Sequence, residues 1–471
     1  MKKYTIILLM VLSALLSQAQ WKPDVRLTND PAYSWTSNNN AWCIASSGSV
    51  VHAVWFDLRN DGNSEIYYKR STDEGESWGA DTRLTYQTDM SRFPAIAVSG
   101  SIVHVIWEDT RDWYTQLYYK RSIDGGINWG ADTRLSNVNS MMVEASVTTS
   151  GSGVYLVWVD DRNGNYEIYY KCSTDGGENW SADKRLTNDN ANSRLPSVTV
   201  SGSDVHVVWE DRRDRDGYNE VYYKKSTDGG ITWEPDMRLS NNTYIYGSWN
   251  ASVSSSGSLV FVAWMDNRDG DNELYCRRSI DGGVNWGAET RLTNNIGSSE
   301  SPSVVVSGSV VHAVWVDNRD ANFEIYYKRS TNKGLSWETD RRLTEAPDQS
   351  LNSSVSISGS TVHVIWKDIR DGNWEIYTKR NPTGNMTTGI EEKKETVINI
   401  YPNPTDGIVK LEIPGNEQLE SIVISDMTGR KVIQNTNLFT NEIDLQSLPD
   451  GFYPVRIVTD KQRYFGKIIK Q

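Results

Sequence analysis

A five-residue string, V-[HYF]-x-[VA]-W or a close variant, recurs seven times and constrains the fold more than any other feature of the chain. Its tryptophan opens W-x-D-x-R, which is followed by a turn rich in Gly, Asn and Asp and then by E-[IVL]-Y, or Q-L-Y in the second copy. The copies begin 51 to 55 residues apart, at Val51, Val103, Val154, Val205, Val260, Val311 and Val362. A fixed period of this length predicts an array of one structural unit.

Each unit reads as four β-strands. An apolar run such as 95–98 is followed by the V-H-x-V-W strand, by the E-I-Y-Y-K-R strand and by a last strand that ends in R-L-[ST]. Strands are indicated by the β-branched and aromatic residues and by the Gly-Asn-Asp clusters between them, and no segment shows helical periodicity. Four-stranded repeats of about 40 to 50 residues are typical of propeller blades, so we predict an all-β, seven-bladed β-propeller.

The two ends of the repeat region complement each other. The seventh copy stops after Arg380 and lacks a fourth strand, whereas the segment 21–28, W-K-P-D-V-R-L-T, reads as an isolated fourth strand. We therefore expect the N-terminal strand to complete the last blade. This pairing would close the ring and remove an exposed sheet edge.

The N-terminus predicts export. Two lysines precede an apolar run from Tyr4 to Leu16 and the small-residue sequence Ser17-Gln18-Ala19, which together read as a signal peptide over residues 1–19. No later apolar run reaches the ~18 residues that a membrane span needs. We expect a secreted protein, extracellular or attached to the cell surface, with no membrane span.

The composition argues against several classes of partner and site. A formal net charge of -13 would repel nucleic acids, so no nucleic-acid partner is expected, and we expect a monomer. All five histidines occupy one repeat position that Tyr155 and Phe261 fill elsewhere, which indicates ring packing rather than metal binding. The three cysteines lie at different repeat positions and are interpreted as buried thiols.

A second motif, S-x-D-x-G-x-x-W, follows the third strand in six repeats. It resembles the Asp box, or BNR repeat, of sialidases and related propellers, and the resemblance covers residues 20–381. In that family the box is a structural turn on the face away from the ligand. Its Asp accepts hydrogen bonds within the turn, its Gly supplies positive φ and its Trp anchors the sheets. The Asp positions are Asp73, Asp124, Asp175, Asp228, Asp281 and, as a departure from the motif, Asn332.

Charged residues also repeat in every blade, as in Asp57, Arg59 and Glu65 of the first. One interpretation is a charge network that ties each hairpin to the neighbouring blade; the alternative is one shallow sugar site per blade, as in propeller lectins. No cofactor is expected. The alternative is calcium in acidic loops such as 214–220, although these loops miss the EF-hand spacing.

A single site must instead come from positions that differ between blades. Alignment of the blades on V-x-x-V-W places one variable residue just before each first strand, where it should ring the central mouth. Four of these residues are candidate ligand-binding groups: two arginines can grip a carboxylate, Trp can stack on a sugar, and Glu can accept hydrogen bonds. They are Arg92, Arg194, Trp249 and Glu300, and the remaining positions read Asn40, Val143 and Leu351.

The family resemblance implies a test for catalysis. Arg92-Phe-Pro and Arg194-Leu-Pro resemble the R-I-P arginine of sialidases, but the sequence offers no third arginine of that kind. It also identifies no Tyr–Glu nucleophile pair, since Tyr244 and Tyr246 of the lengthened loop before the fifth blade cannot be paired with a Glu by spacing. The catalytic residues therefore stay unknown at this stage.

The tail has a different composition. Residues 382–396 read as a polar linker, and residues 397–471 read as a small β-sandwich. The Y-P-N-P-x-x-G-like opening at Tyr401, the D-x-x-G turn at Asp426 and L-x-x-G-x-Y at Leu448 resemble the C-terminal sorting domain of type IX secretion cargo in the Bacteroidota. The resemblance implies export through the type IX machinery, removal of the tail, and release or surface attachment.

Three functions remain open from the sequence. The first is a secreted or surface propeller that binds glycans or another extracellular polymer without catalysis. The second is a sialidase-like exo-glycosidase in which Arg92 and Arg194 hold the substrate. The third is a protein-binding scaffold, since a fold alone assigns no function.

Overall fold

The computed structural model describes residues 21–37, 42–60, 62–136, 138–214, 218–241, 247–385, 396–412, 419–426, 430–435, 442–459 and 463–471. The predicted signal peptide, Asn40, Tyr244, Tyr246 and most of the predicted linker lie outside these ranges. The described residues up to 385 form one compact unit, and those from 396 onward form a second. All elements in the described ranges are strands, and none of these residues forms a helix able to cross a membrane.

Seven antiparallel sheets make up the first unit, which confirms the seven-bladed propeller. The first strand of the chain, β1 (Val25–Arg26), belongs to blade 7. Blade 1 contains β2 (Ser34–Trp35), β3 (Ile44–Ser47), β4 (Val50–Asn60), β5 (Asn63–Ser71) and β6 (Thr82–Arg83). Blade 2 contains β7 (Ser91–Ser99), β8 (Ile102–Asp112), β9 (Tyr114–Ser122) and β10 (Thr133–Arg134). Blade 3 contains β11 (Met142–Ser150), β12 (Gly153–Asp160), β13 (Glu167–Ser173) and β14 (Lys184–Arg185).

The remaining blades repeat this order. Blades 4 and 5 contain β15 (Ser193–Ser201), β16 (Asp204–Asp211), β17 (Glu220–Ser226) and β18 (Met237–Arg238), then β19 (Ser248–Ser256), β20 (Leu259–Asp269), β21 (Asp271–Ser279) and β22 (Thr290–Arg291). Blades 6 and 7 contain β23 (Ser299–Ser307), β24 (Val310–Asp317), β25 (Glu324–Ser330) and β26 (Arg341–Arg342), then β27 (Ser350–Ser358), β28 (Thr361–Asp368) and β29 (Glu375–Asn381).

The first strands of neighbouring blades contact one another around the whole ring, which closes where β27 meets β3. As predicted, β1 pairs with β29 and so completes blade 7, with Val25 opposite Thr378 and Arg26 opposite Tyr377. Trp21 takes the place of an Asp-box tryptophan in this blade. Its ring packs edge-on against Tyr327 of blade 6, with 4.9 Å between the ring centroids.

A buried polar unit repeats in every blade behind the V-x-x-V-W strand. In blade 1, Trp55 is fully buried and its Nε1 donates to Asp57 Oδ2 at 3.2 Å, and Ser34 Oγ donates to the same oxygen at 2.8 Å. Arg59 pairs with Asp57 and Asp81 and lies 4.3 Å from the centroid of the Tyr67 ring. Because every charge in this unit has a partner, it can be buried and serves to join the strands of one blade.

The structure corrects one expectation about these charges. The bonds of Asp57, and those of Glu65 to Arg83 and Thr85, stay within their own blade rather than tying the hairpin to its neighbour. The link between blades comes from the third-strand lysine, as where Lys69 Nζ donates to the Leu27 carbonyl. Equivalent bonds to the preceding blade are made by Lys120, Lys171, Lys224, Arg277, Lys328 and Lys379. The Asp and Glu carboxylates are already used by groups nearer in the same sheet.

Residues 382–385, which the sequence assigns to the linker, pack on the propeller. Asn385 Nδ2 donates to the Gly359 carbonyl at 2.7 Å, and Arg329 Nη1 donates to the Gly384 carbonyl at 2.7 Å. This turn stands where the other blades carry an Asp box. The domain boundaries otherwise stay predictions.

The second unit has two sheets, as expected for a small β-sandwich. One sheet has the order β30 (Thr396–Val397), β37 (Arg463–Lys470), β36 (Gly451–Thr459), β33 (Leu419–Ser425) and β34 (Lys431–Asn435). The other sheet consists of β31 (Asn399–Tyr401), β32 (Ile408–Glu412) and β35 (Glu442–Asp444). Val409 and Leu411 of the smaller sheet share one buried core with Ile424 and Ile457 of the larger.

We expect Trp21→Ala to lower the free energy of unfolding by about 3 kcal/mol, because it empties a buried aromatic site at the seam that closes the ring. Trp21 is 8% exposed, and Trp113, which is 99% exposed, provides the control. Denaturant unfolding of the full chain and of the Trp21→Ala and Trp113→Ala variants measures the difference. Equal stability of the two variants would contradict the closing role of Trp21.

Candidate functional site

The two faces of the propeller carry different chemistry. The Asp boxes lie in the turns between third and fourth strands, such as 71–78 between β5 and β6. The starts of the first and third strands and the ends of the second and fourth strands meet at the opposite face. This opposite face, here called the loop face, carries the second-to-third and fourth-to-first loops.

The Asp boxes are turns closed by their own side chains. In the first box, Asp73 Oδ1 accepts the backbone N–H of Ser77 at 2.9 Å, and Ser71 Oγ accepts that of Gly75 at 2.8 Å. Hydrogen bonds from the side chains of Ser71 and Ser77 hold the pKa of Asp73 below its usual range. The variant sixth box keeps the pattern, since Asn332 Oδ1 accepts the backbone N–H of Ser336 at 2.9 Å.

The boxes also join neighbouring blades. Gly126 of the second box has a φ of +82°, and a Cβ there would lie 1.9 Å from the Tyr68 hydroxyl of blade 1. Trp129 of the same box packs edge-on against Tyr68, with 4.9 Å between ring centroids. The Ser, Asp, Gly and Trp of the motif therefore serve the turn and the contact between blades.

We expect Asp73→Asn to fold with nearly unchanged stability, because Asn332 of the sixth box accepts the same backbone N–H and donates to the Ser336 hydroxyl, where Asp73 accepts from that of Ser77. Asp73→Ala should lower the thermal midpoint by about 2 °C, because it leaves the turn donors without an acceptor. Differential scanning calorimetry compares the two variants. A loss of equal size in both would show that charge, not hydrogen bonding, is what the box requires.

A β-bulge near the start of the first strand shapes the loop face. The strands begin earlier than the sequence indicates: β7 starts at Ser91, and its pairing with β8 shifts register between Arg92 and Ala95. The residue after Arg92, Phe93, has a φ of +52°. The same left-handed conformation recurs at Glu144, Leu195, Asn250, Ser301 and Asn352. A bulge of this kind re-aims the adjoining side chains, here toward the loop face.

The structure brings two of the four sequence candidates together. Arg92 of blade 2 and Arg194 of blade 4 line one cavity of about 320 Å³, the loop-face cavity, which also includes Glu144 and Tyr166 of blade 3. Trp249 of blade 5 and Glu300 of blade 6 do not line it.

The other two candidates have local surroundings of their own. Trp249 packs so close to Gly247 that a Cβ on that glycine would lie 2.5 Å from the indole. Glu300 accepts a hydrogen bond from Asn272 Nδ2 at 2.9 Å.

Three glutamates that were not among the sequence candidates lie beside the two arginines: Glu108, Glu144 and Glu210. Glu108 Oε1 accepts the backbone N–H of Glu144 at 2.9 Å, and Glu144 Oε2 accepts that of Leu195 at 2.8 Å. Glu144 pairs with Arg194, and Glu108 lies 3.9 Å from Arg92 Nε. The carboxylates of blades 2 and 3 are thus each held by a bulge N–H of the next blade.

Two of these carboxyls differ from ordinary glutamates. Burial raises the pKa of Glu108 to about 7, and burial together with the negative charge of Glu144 raises the pKa of Glu210 to about 7. Glu210 Oε2 and the Nε atoms of Arg92 and Arg194 are buried and have no hydrogen-bond partner among the described residues. At neutral pH the cavity wall therefore holds one carboxyl, that of Glu108, that can donate or accept a proton, whereas Glu210 lies beside Arg194 without lining the cavity.

A signal for the missed residues was present in the repeat. Glu108 and Glu210 fill the x of W-x-D, which reads Phe56, Val159, Met265, Val316 and Lys367 in the other blades. Tyr166 fills the position before E-I-Y. These positions also break the symmetry, but only the fold shows that Glu108 and Tyr166 reach the same cavity as the start of the first strand and that Glu210 lies beside Arg194.

The structure also corrects the alignment of blade 1. Trp35 pairs with Phe56 in the register in which Arg92 pairs with Glu108, so Trp35 is the equivalent of Arg92. Asn40, which the sequence places there, lies outside the described residues. Blade 1 carries extra residues between β2 and β3, and an alignment counted back from the second strand cannot detect them.

Exposed aromatic and thioether side chains cluster on the loop face of blades 1 to 3. Trp113, at the tip of the β8–β9 hairpin, is 99% exposed. It is accompanied on this face by Tyr33, Tyr86, Met90, Tyr114 and Met141. Large flat side chains left in solvent are suited to stacking on a ligand.

The histidines do not line the loop-face cavity. His52 is buried, its Nδ1 lies 2.7 Å from the Tyr68 hydroxyl, and burial lowers its pKa to about 4. Within the described ranges, no three His, Cys, Asp or Glu side chains are placed to hold a metal ion. Residues 215–217 of the loop considered for calcium lie outside those ranges.

Comparison with known families identifies both units. A model of BNR repeat-like domains matches residues 8–217, and a BNR/Asp-box repeat model matches residues 224–235. A secretion system C-terminal sorting domain model matches residues 399–471. The first unit therefore carries BNR/Asp-box repeats like those of sialidases, and the tail is a type IX secretion sorting domain, which indicates secretion and attachment to the cell surface.

Individual relatives agree with this assignment. A sialidase of Clostridium perfringens is 24% identical over 263 residues, which cover 45% of this chain and 66% of that protein. A sialidase of Bacteroides fragilis (strain YCH46) is 25% identical over 230 residues, which cover 43% of this chain and 41% of that protein. The matches thus span less than two thirds of either relative.

Two polysaccharide lyase structures share the propeller fold. One is a PL25 ulvan lyase bound to a -[GlcA(1-4)Rha3S]- chain, with a TM-score of 0.56 and 10% identity over 76% of this chain and 95% of that one. The other has a TM-score of 0.55 and 9% identity over 77% of this chain and 99% of that one. At this identity the likeness concerns the fold alone.

We expect the free energy of unfolding of Glu108→Gln, relative to that of the unchanged protein, to rise by about 1–3 kcal/mol between pH 5 and pH 8. The pKa of Glu108 is about 7 when folded and ordinary, near 4.5, when unfolded. The folded protein therefore holds the proton more tightly and loses stability as pH rises through this window, whereas Gln cannot titrate. Denaturant unfolding at several pH values measures the difference, and a pH-independent difference would contradict the buried acid.

Proposed function

We propose that the propeller binds a glycan on its loop face, with the loop-face cavity as the main subsite. The observation that carries this proposal is the convergence of Arg92 and Arg194 from blades 2 and 4 on one cavity beside Tyr166. Arg194 lies 5.1 Å from the centroid of the Tyr166 ring. Charged donors and acceptors beside an aromatic surface suit a sugar, which presents hydroxyls along its edge and C–H groups on its face.

The ion pairs favour binding of sugar hydroxyls over a sialidase-type grip on a carboxylate. Arg194 is paired with Glu144, and Arg92 faces Glu108, which is only partly ionised at neutral pH, so Arg194 is compensated fully and Arg92 in part. The cavity has no third arginine among its described lining residues. A paired Arg and Glu together offer both donors and acceptors to a hydroxyl pair.

Glycoside hydrolysis is the second candidate function, and the raised pKa values of Glu108 and Glu210 favour it. A carboxyl that is partly protonated at neutral pH is the form a general acid needs. Glu144, held by Arg194 and a backbone N–H, would be the accompanying base or nucleophile. In this hypothesis the general acid, Glu108, and the base or nucleophile, Glu144, line the same cavity.

A glycan array probed with the purified full chain tests both functions. Retained protein reports binding, and mass spectrometry of the glycans reports trimming. We expect Arg194→Ala to weaken retention at least tenfold, and Arg121→Ala, which breaks an Arg121–Glu178 pair away from the loop face, to leave it unchanged.

The outcomes separate the candidates. Retention that depends on Arg194 without trimming supports a binding module. Trimming that is lost in Glu108→Gln supports the hydrolase. Retention that is unaffected by Arg194→Ala would show that the ligand binds elsewhere on the molecule.

A further inference from the structure

A second cavity adjoins the loop-face cavity on the same face. It has a volume of about 250 Å³ and lies where blades 7, 1 and 2 meet. Arg92 and Phe93 line both cavities, so the two are neighbours along one path over blades 7 to 4. This second cavity, here called the Lys367 cavity, differs from the first in its charge.

Lys367 is the distinguishing residue. It fills in blade 7 the W-x-D position that Glu108 and Glu210 fill in blades 2 and 4. Its Nζ lies 4.9 Å from the centroid of the Trp374 ring, and it forms no ion pair with any carboxylate of the described residues. Lys367 is half-buried, and this burial lowers its pKa, so its charge lacks both full hydration and a counterion.

Other donors in this cavity also lack partners. Ser64 Oγ is buried without a hydrogen-bond partner among the described residues, and so is Trp35 Nε1. Both residues line the cavity together with the rings of Phe56 and Phe93. Within the described ranges, unpartnered indole N–H groups also occur at Trp21 and at five Asp-box tryptophans, so the donor that distinguishes this cavity is the Ser64 hydroxyl, since buried polar atoms normally have partners.

We propose that the Lys367 cavity binds the anionic group of a sugar residue, and that the ligand is an acidic polysaccharide lying across blades 7 to 4. Lys367 would pair with the anion, Ser64 and Trp35 would donate hydrogen bonds, and the aromatic walls would pack on the ring. This proposal rests on the proposed glycan-binding function and names the chemical class of that glycan.

The net charge of -13 opposes polyanions in general, so an acidic ligand needs a local cation, and the charge distribution supports this order of subsites. An anion in the Lys367 cavity meets an unpaired cation, whereas an anion in the loop-face cavity meets guanidiniums beside Glu108 and Glu144. A partly desolvated cation gains from an anionic partner and gains little from a neutral hydroxyl. Neutral parts of the chain therefore fit the loop-face cavity, and the acid fits the Lys367 cavity.

The experiment measures affinities of the full chain for three polysaccharides and one polypeptide. Polygalacturonate carries carboxylates, dextran sulfate carries sulfates, and dextran is the neutral form. Poly-glutamate tests whether any polyanion binds. The variants are Lys367→Gln, Lys367→Arg, Arg194→Ala and Lys333→Gln. The last of these removes the same charge as Lys367→Gln from an exposed Asp-box turn on the other face.

We expect Lys367→Gln to weaken binding of an acidic polysaccharide at least tenfold, with substantial recovery in Lys367→Arg and no change in Lys333→Gln. Preference for polygalacturonate or for dextran sulfate identifies the anion as carboxylate or sulfate. Thermal unfolding of each variant checks that it is folded.

Other results overturn the proposal in distinguishable ways. Equal affinity of the unchanged protein for dextran and for both acidic polymers, or unchanged affinity in Lys367→Gln, removes the inference while the glycan-binding function stands. Equal binding of poly-glutamate shows that no sugar is recognised. Absence of binding to every polysaccharide overturns both proposals, and sensitivity to Lys367→Gln but not to Arg194→Ala overturns only the loop-face subsite.

Discussion

The pairing of β1 with β29 is the interaction on which the rest of the propeller depends. Each blade buries its faces only between two neighbours, so a ring with one incomplete blade would expose both a sheet edge and an apolar face. Here β1 supplies the missing strand, Trp21 supplies the missing anchor on Tyr327, and Asp24 pairs with Arg370 and Lys379 as its equivalents do in other blades. Closure therefore reproduces the strand pairing, the tryptophan contact and the charge pairs of an ordinary blade from residues about 350 positions apart.

The fold uses the repeated residues for its own hydrogen bonds and ion pairs. The buried tryptophans, the Asp and Arg that follow them, and the Glu that opens the third strand satisfy one another within each blade, and the third-strand lysines bond the preceding blade. A ligand can therefore be recognised only by groups outside this network. Such groups are found where the blades differ, at the bulge of the first strand and at the x of W-x-D.

The loop face carries several structural costs. Buried carboxyls with raised pKa values, left-handed residues at each bulge and unpaired donors all reduce stability relative to an apolar or fully paired surface. The bulge recurs in six blades, so it belongs to the fold, whereas the buried glutamates, Lys367 and the exposed aromatics occur in particular blades. This local concentration is what distinguishes a site from the scaffold around it.

The sequence by itself determined the seven blades, their four strands, the closing strand, the Asp-box turns and the sorting domain. These features depend on local sequence patterns and on the number of their copies, and each pattern of the repeat occurs several times in the chain. The sequence also selected Arg92 and Arg194 because they break the repeat.

Only the tertiary structure decided that those arginines share a cavity, that Glu108, Glu144 and Glu210 surround them, and that Trp35 rather than Asn40 stands at the equivalent place in blade 1. It also decided that Lys367 lies without a counterion beside Trp35 and Ser64. The physical reason is that burial and charge pairing depend on residues brought together from different blades around a closed ring, and no local pattern records those distances.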